Sequence, residues 1–186
     1  MGDLARTFLL AGLVLAGCGA GTIEGGTIED DDDDALLEDT AAPVDDALCI
    51  NEFMPDNGGA LIEGDETPDW VELYNAEFQT IPLAGWTLQA DDGDPVALDP
   101  LGELEATEPL LLLADGRDAV GDRHLPFTLD AEGGSLTLTG PSGTGERIRY
   151  GVVQPNHSVA RETDCCEGAD CLVFDSRGTP GEKNGD

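Results

Sequence analysis

The stretch Leu125-Pro126-Phe127-Thr128-Leu129-Asp130-Ala131-Glu132-Gly133-Gly134-Ser135-Leu136-Thr137-Leu138-Thr139 decides the fold. Leu136 and Leu138 face one way and Ser135, Thr137 and Thr139 the other, the two-residue period of a strand with one buried face. Leu125, Phe127 and Leu129 repeat that period on the far side of Glu132-Gly133-Gly134, a turn sequence. Outward from this pair the same grammar recurs. Strands are predicted near Cys49–Met54, Trp70–Tyr74, Gly85–Ala90, Val96–Leu98, Leu110–Ala114, Leu125–Leu129, Ser135–Thr139, Arg147–Val153 and Ser158–Arg161, with turns at Asp91–Asp94 and Gly140–Gly145. No segment sustains an apolar period of 3.6 residues between caps. Eight or nine short, closely spaced strands predict an all-β chain folded as a β-sandwich.

Composition agrees with one small domain and a tether. The 186 residues include 25 Gly and 11 Pro, suited to strands and tight turns. Forty Asp and Glu stand against eight Lys and Arg, a net charge of −32, and no Lys or Arg falls between Thr7 and Gly116. Such a surface repels phosphate backbones, which disfavours nucleic acid as a partner. Residues Gly19–Ala47 hold eleven acids and no base, including the run Asp30–Asp34, and read as a self-repelling disordered tether. Five adjacent aspartates lack the turn glycine and fixed spacing of an ordered calcium loop.

The amino terminus reads as a processing signal. Arg6 precedes the apolar run Phe8–Ala16, too short to span a bilayer but of signal-peptide length, though Asp3 offsets the charge of Arg6. The run ends in Leu15, Ala16, Gly17 and Cys18, which resemble the bacterial lipobox. That resemblance implies cleavage before Cys18, lipidation of its thiol and, with Gly19 following, transfer to an outer membrane. The expected organisation is a signal peptide over residues 1–17, a lipidated Cys18 and acidic tether over 18–47, and a domain over 48–186. Membrane association is expected through the lipid.

Export allows disulfides. With Cys18 set aside, Cys49, Cys165, Cys166 and Cys171 remain, and four cysteines allow three pairings. A bond between the neighbours Cys165 and Cys166 requires a strained eight-membered ring, so Cys49 is expected to pair with one of them and Cys171 with the other. A zinc site built from Cys165, Cys166, Cys171 and His157 is the alternative, although the spacing lacks a paired CxxC.

Four segments stand in order along the chain: Ile50-Asn51-Glu52-Phe53-Met54-Pro55; Asp69-Trp70-Val71-Glu72-Leu73-Tyr74-Asn75; Leu83-Ala84-Gly85-Trp86-Thr87-Leu88; and Thr179-Pro180-Gly181 with Asn184. Together they resemble the lamin-tail domain. In the third, Ala84 stands where the family pattern has Ser. The resemblance covers residues 48–184 and implies an immunoglobulin-like sandwich, used in bacteria as an accessory module on secreted or surface proteins, often beside hydrolases. It implies no catalytic residues. This chain departs from the pattern in having no partner domain and in its four extra cysteines.

The motif residues also read directly. Trp70 and Trp86 are large enough to fill much of a small core, and Gly85 permits a close approach before Trp86. If Val71 and Leu73 point inward, then Trp70, Glu72 and Tyr74 point outward as a stripe for a partner, and Glu52, Asp69 and Glu72 are candidate calcium ligands. The competing reading is that Glu72 and Asn75 bond backbone groups at strand ends.

Catalytic signals are thin. His157 and Ser158 are adjacent in a strand and point to opposite faces, so they form no triad. His124 reads as a polar residue at a loop edge. Carboxylates are too abundant for any pair to be informative, and neither a phosphate-cradling glycine loop nor good metal-ligand spacing is present. The sequence therefore predicts a non-enzymatic, lipid-anchored binding or structural module for protein or polysaccharide partners, with no cofactor. The rival is a small calcium-dependent hydrolase or an accessory subunit of one.

Overall fold

A computed structural model describes residues 37–39 and 48–185. The expectations for Cys18, the signal sequence and most of the tether lie outside them. The described strands are β1 (Glu38–Asp39), β2 (Leu48–Met54), β3 (Asp69–Asn75), β4 (Ile81–Pro82), β5 (Thr87–Ala90), β6 (Val96–Ala97), β7 (Glu103–Leu104), β8 (Pro109–Ala114), β9 (His124–Leu125), β10 (Gly134–Thr139), β11 (Gly145–Tyr150), β12 (Ser158–Arg161) and β13 (Leu172–Asp175). Eight of them have four or more residues and five have two; seven of the nine predicted strands fall on long ones, the predicted Val96–Leu98 and Leu125–Leu129 fall on the two-residue β6 and β9, and the long β13 is not predicted.

One sheet has the order β1-β11-β10-β5-β6 and the other β13-β12-β2-β3-β8-β9, with β4 and β7 paired separately. Between them lies a single core to which Leu48, Ile50, Phe53, Val71, Leu73 and Leu112 contribute from the larger sheet and Leu88, Leu136, Leu138 and Ile148 from the smaller. The Phe53 and Tyr150 rings meet across the core with centroids 4.9 Å apart. This is the all-β sandwich that the alternation predicts.

The quoted stretch holds in its second half and changes in its first. Leu136 and Leu138 on β10 are buried and pair with Ile148 and Glu146 on β11. The expected strand Leu125–Leu129 stops at Leu125. Pro126 has no N–H to give a ladder, and the carbonyls of Leu125 and Phe127 instead accept from Gly116 N at 3.1 Å each. Leu129 is buried nonetheless, so alternation reports burial here without regular pairing. Two other boundaries move: the expected Arg147–Val153 strand ends at Tyr150, and Gly85–Ala90 begins at Thr87. Gly85 takes φ +82°, a left-handed turn conformation that suits glycine, and a Cβ there would meet Pro141 at 3.2 Å.

Three elements depart from expectation. The acidic tether is not unstructured throughout, because Glu38 and Asp39 pair with Arg149 and Ile148 on the open edge of β11. Leu37 packs against the core beside them. A strand that the alternation does not predict, β13, follows the Cys165-Cys166 pair and is hydrogen-bonded to β12. The stripe Trp70, Glu72 and Tyr74 does leave the core face of β3, but it is not exposed; the three residues are 0%, 0% and 6% accessible.

Candidate functional site

A β-bulge sets which residues of β2 face outward. The pairing of β2 with β3 slips between Ile50 and Glu52, leaving Asn51 as the extra residue. Leu48 and Ile50 point into the core before the bulge and Phe53 after it. Without that slip the alternation would carry Glu52 into the core with Ile50. With it, Glu52 sits opposite Glu72 on the outer face of the sheet.

The carboxy-terminal segment covers that face. Glu52 accepts from Ser158 Oγ, from Thr179 N at 3.0 Å and from Thr179 Oγ1 at 2.7 Å. Glu72 accepts from Asn51 Nδ2 at 3.1 Å and Gly181 N at 2.7 Å. Asn184 Nδ2 donates to the carbonyls of Asn51 and Arg161, at 3.2 and 2.9 Å. Asp164 Oδ1 accepts from Asn51 Nδ2 and Asn184 N. The turn sequence explains the approach: Glu182 N donates to Thr179 O, Pro180 fixes the first central position, and Gly181 has φ +82° at the second. That pattern suits a type II turn. Just before it, a Cβ on Gly178 would come within 2.9 Å of Met54 Cε and 3.0 Å of Trp70 Cζ2, so the strap fits only with glycine there. The first, second and fourth motif segments thus meet in one buried polar clamp.

The structure separates the proposed calcium ligands. Asp69 and Glu72 lie three residues apart on β3 and therefore stand on opposite faces. Asp69 receives Asn57 N at 3.4 Å, away from the clamp. Glu52 and Glu72 meet, but their oxygens are engaged by protein donors. Asn75 matches the backbone-bonding reading: its Nδ2 donates to the carbonyls of Gln79, Leu104 and Glu105, and its Oδ1 accepts from Glu77 N. Trp86, from the third segment, is a core residue.

Burial shifts the clamp toward its protonated form. Desolvation raises Glu72 to about 7, with the neighbouring Glu52 and Asp164 charges adding to the rise against hydrogen bonds from Asn51 and Gly181. Desolvation also raises Glu52 and takes Asp69 to about 6. For acids raised on folding, the native state holds protons that the unfolded chain has released. Stability therefore falls as pH rises from the ordinary carboxylate range toward 7 and levels off above it. The expected decline from Glu72 is on the order of 3 kcal/mol. Urea denaturation from pH 4.5 to 7.5 should show it, and Glu72→Gln should flatten the profile. An equal slope in wild type and variant would assign the effect to the overall negative charge instead.

The cysteines pair as Cys49–Cys165 and Cys166–Cys171, with Cα separations of 5.7 and 6.0 Å. This resolves which neighbour takes which partner, and it replaces the zinc alternative because all four thiols are consumed. His157 Nδ1 contacts Pro155 O instead. Sequence reading gave no sign of a buried ion pair beside this region. Arg161 Nη2 lies 2.6 Å from Glu146 Oε2, joining β12 in one sheet to β11 in the other. Arg161 Nε donates to Ile50 O at 2.9 Å, Nη1 donates to Cys166 O, and Glu146 Oε1 accepts from Ile50 N. The pair thereby satisfies the backbone groups of Ile50 at the edge of the bulge.

No family model matches the chain, and no curated protein matches it either.

Proposed function

We propose that the chain is an exported, lipid-anchored module of the lamin-tail type that mediates protein or envelope-polymer contacts and performs no catalysis. The observation that carries this reading is the use of the motif's polar residues. Glu52, Glu72, Asn51, Thr179 and Asn184 bond one another and the backbone beneath a strap. They serve the stability of a display scaffold. A calcium-dependent hydrolase needs carboxylates converging on an open cleft, whereas Asp69 and Glu72 stand on different faces. Two disulfides fit an oxidising compartment. The Leu15-Ala16-Gly17-Cys18 sequence supplies the anchor, and Gly19 directs it to an outer membrane.

The anchoring test is direct. Cys18→Ser, expressed in a bacterial host with the leader intact, should lose labelling by a fatty-acid precursor and move from the membrane to the soluble fraction. Unchanged membrane partition would end the lipoprotein reading. Affinity capture from the native envelope, with Cys18 intact, then identifies the partner class.

A further inference from the structure

We propose that His124 and Glu63, with Asp115 orienting the imidazole, form a binding site for a divalent metal ion of the zinc class, on the edge of the sandwich away from the clamp. Among the described residues this is the set of three potential ligands whose donor atoms all lie within 4.8 Å of one another. The three come from separate segments. Glu63 lies in a tight loop closed by reciprocal backbone bonds with Glu66, Asp115 directly follows β8, and His124 opens β9.

His124 is the informative member. It is not the loop-edge residue that the sequence suggests: it is 8% accessible and pairs in parallel with Leu113. Its Nδ1 is 2.8 Å from Asp115 Oδ2. Among the described residues its Nε2 has no hydrogen-bond partner within range, and it faces Glu63 Oε1 at 3.6 Å. Two donors each about 2.0–2.1 Å from a tetrahedral metal stand roughly 3.4 Å apart, so the observed gap suits a bridging ion. Asp115 then holds the ring through Nδ1, the carboxylate–histidine–metal arrangement that fixes tautomer and orientation.

Charge points the same way. Arg117 Nη2 now lies 2.8 Å from Glu63 Oε2 and 3.7 Å from Glu66 Oε2, and Arg117 also pairs with Asp115. Three carboxylates against one guanidinium leave two negative charges, the complement of a divalent ion. The Arg117 side chain is 48% accessible, so solvent can take over its ion pairs when a metal competes for the carboxylates. Release of Arg117 opens Glu63 to the metal and leaves Glu66 and solvent to complete the shell. A buried imidazole nitrogen selects zinc over calcium, which takes oxygen ligands.

The test titrates Zn²⁺ into the full, oxidised chain in excess Ca²⁺, which occupies the other acidic surface. One saturable Zn²⁺ per chain is expected. Glu63→Gln, a partly exposed substitution that leaves the fold intact, and His124→Ala should each weaken it by about 10-fold or more. Asp115→Asn should weaken it through the ring, Arg117→Ala should strengthen it, and His157→Ala should leave it unchanged. Co²⁺ in place of zinc should give visible absorption that disappears in His124→Ala. If His124→Ala fails to fold, Glu63→Gln decides. Absence of a saturable site, displacement of Zn²⁺ by Ca²⁺, or unchanged affinity in Glu63→Gln would overturn the proposal.

Discussion

Replacing Cys49 and Cys165 together by serine is expected to lower the free energy of unfolding by about 5 kcal/mol. The bond closes a separation of 116 residues, and in the chain-entropy account a loop of that order restricts the unfolded state by about this amount. For a domain of this size the melting temperature should fall by roughly 10–20 °C. The Cys166–Cys171 bond closes a separation of five, and the same relation assigns its loss only about 2 kcal/mol. The bonds also differ in what they hold. Cys165 N donates to Asn51 Oδ1 at 3.1 Å, so the longer crosslink reaches the bulge and the clamp, whereas the shorter one ties its own loop. Urea denaturation of the wild type and the two double-serine variants would measure the order. Equal losses would show that loop entropy is not the main effect.

Glu146→Ala is expected to cost about 3–5 kcal/mol, because it leaves the Arg161 guanidinium buried without its carboxylate. Arg161 and Glu146 are each 2% accessible, so water is poorly placed to take over. The substitution also removes the acceptor of Ile50 N, which lies at the slip between β2 and β3. An apolar pair, Glu146→Leu with Arg161→Met, should recover part of the loss, since replacing both charges removes their desolvation penalty. Recovery should stay incomplete, because the Ile50 and Cys166 carbonyls keep no guanidinium donor. A double-mutant cycle read by urea denaturation checks this. A Glu146→Ala loss below about 1 kcal/mol would mean that the pair is solvated and contributes as a surface pair does.

The fold was legible where one chemical pattern persists over several residues. Leu136-Thr137-Leu138 and Val71-Glu72-Leu73 alternate, and both sit in strands with the expected face inward. Reading fails where geometry depends on one residue or a distant partner. Ile50-Asn51-Glu52-Phe53 gives no local sign that Asn51 is extra, yet that bulge decides the face on which Glu52 lies. The outward stripe Trp70, Glu72 and Tyr74 was correctly oriented, but its cover comes from residues about 110 positions later. Leu172–Asp175 follows a cysteine-rich turn and has only one well-buried side chain, so periodicity gave nothing to find. Pro126 interrupted a sound alternation by removing a donor. Glu146 and Arg161 look like ordinary polar positions on alternating strands, and only the facing of two sheets makes them partners. His124 needed Asp115 and Glu63 from other segments before its role had any content.

The reading of this chain as a scaffold turns on whether the motif carboxylates are engaged beneath the strap. Native-state amide hydrogen exchange at Thr179 and Gly181 addresses it most directly, since those N–H groups donate to Glu52 and Glu72. Both amides are predicted to exchange slowly, with Gly181 speeding up selectively in Glu72→Ala and Thr179 in Glu52→Ala. Exchange of both at the rate of an unstructured peptide would contradict the account, because Glu52, Glu72, Trp70 and Tyr74 would then lie open as a recognition surface.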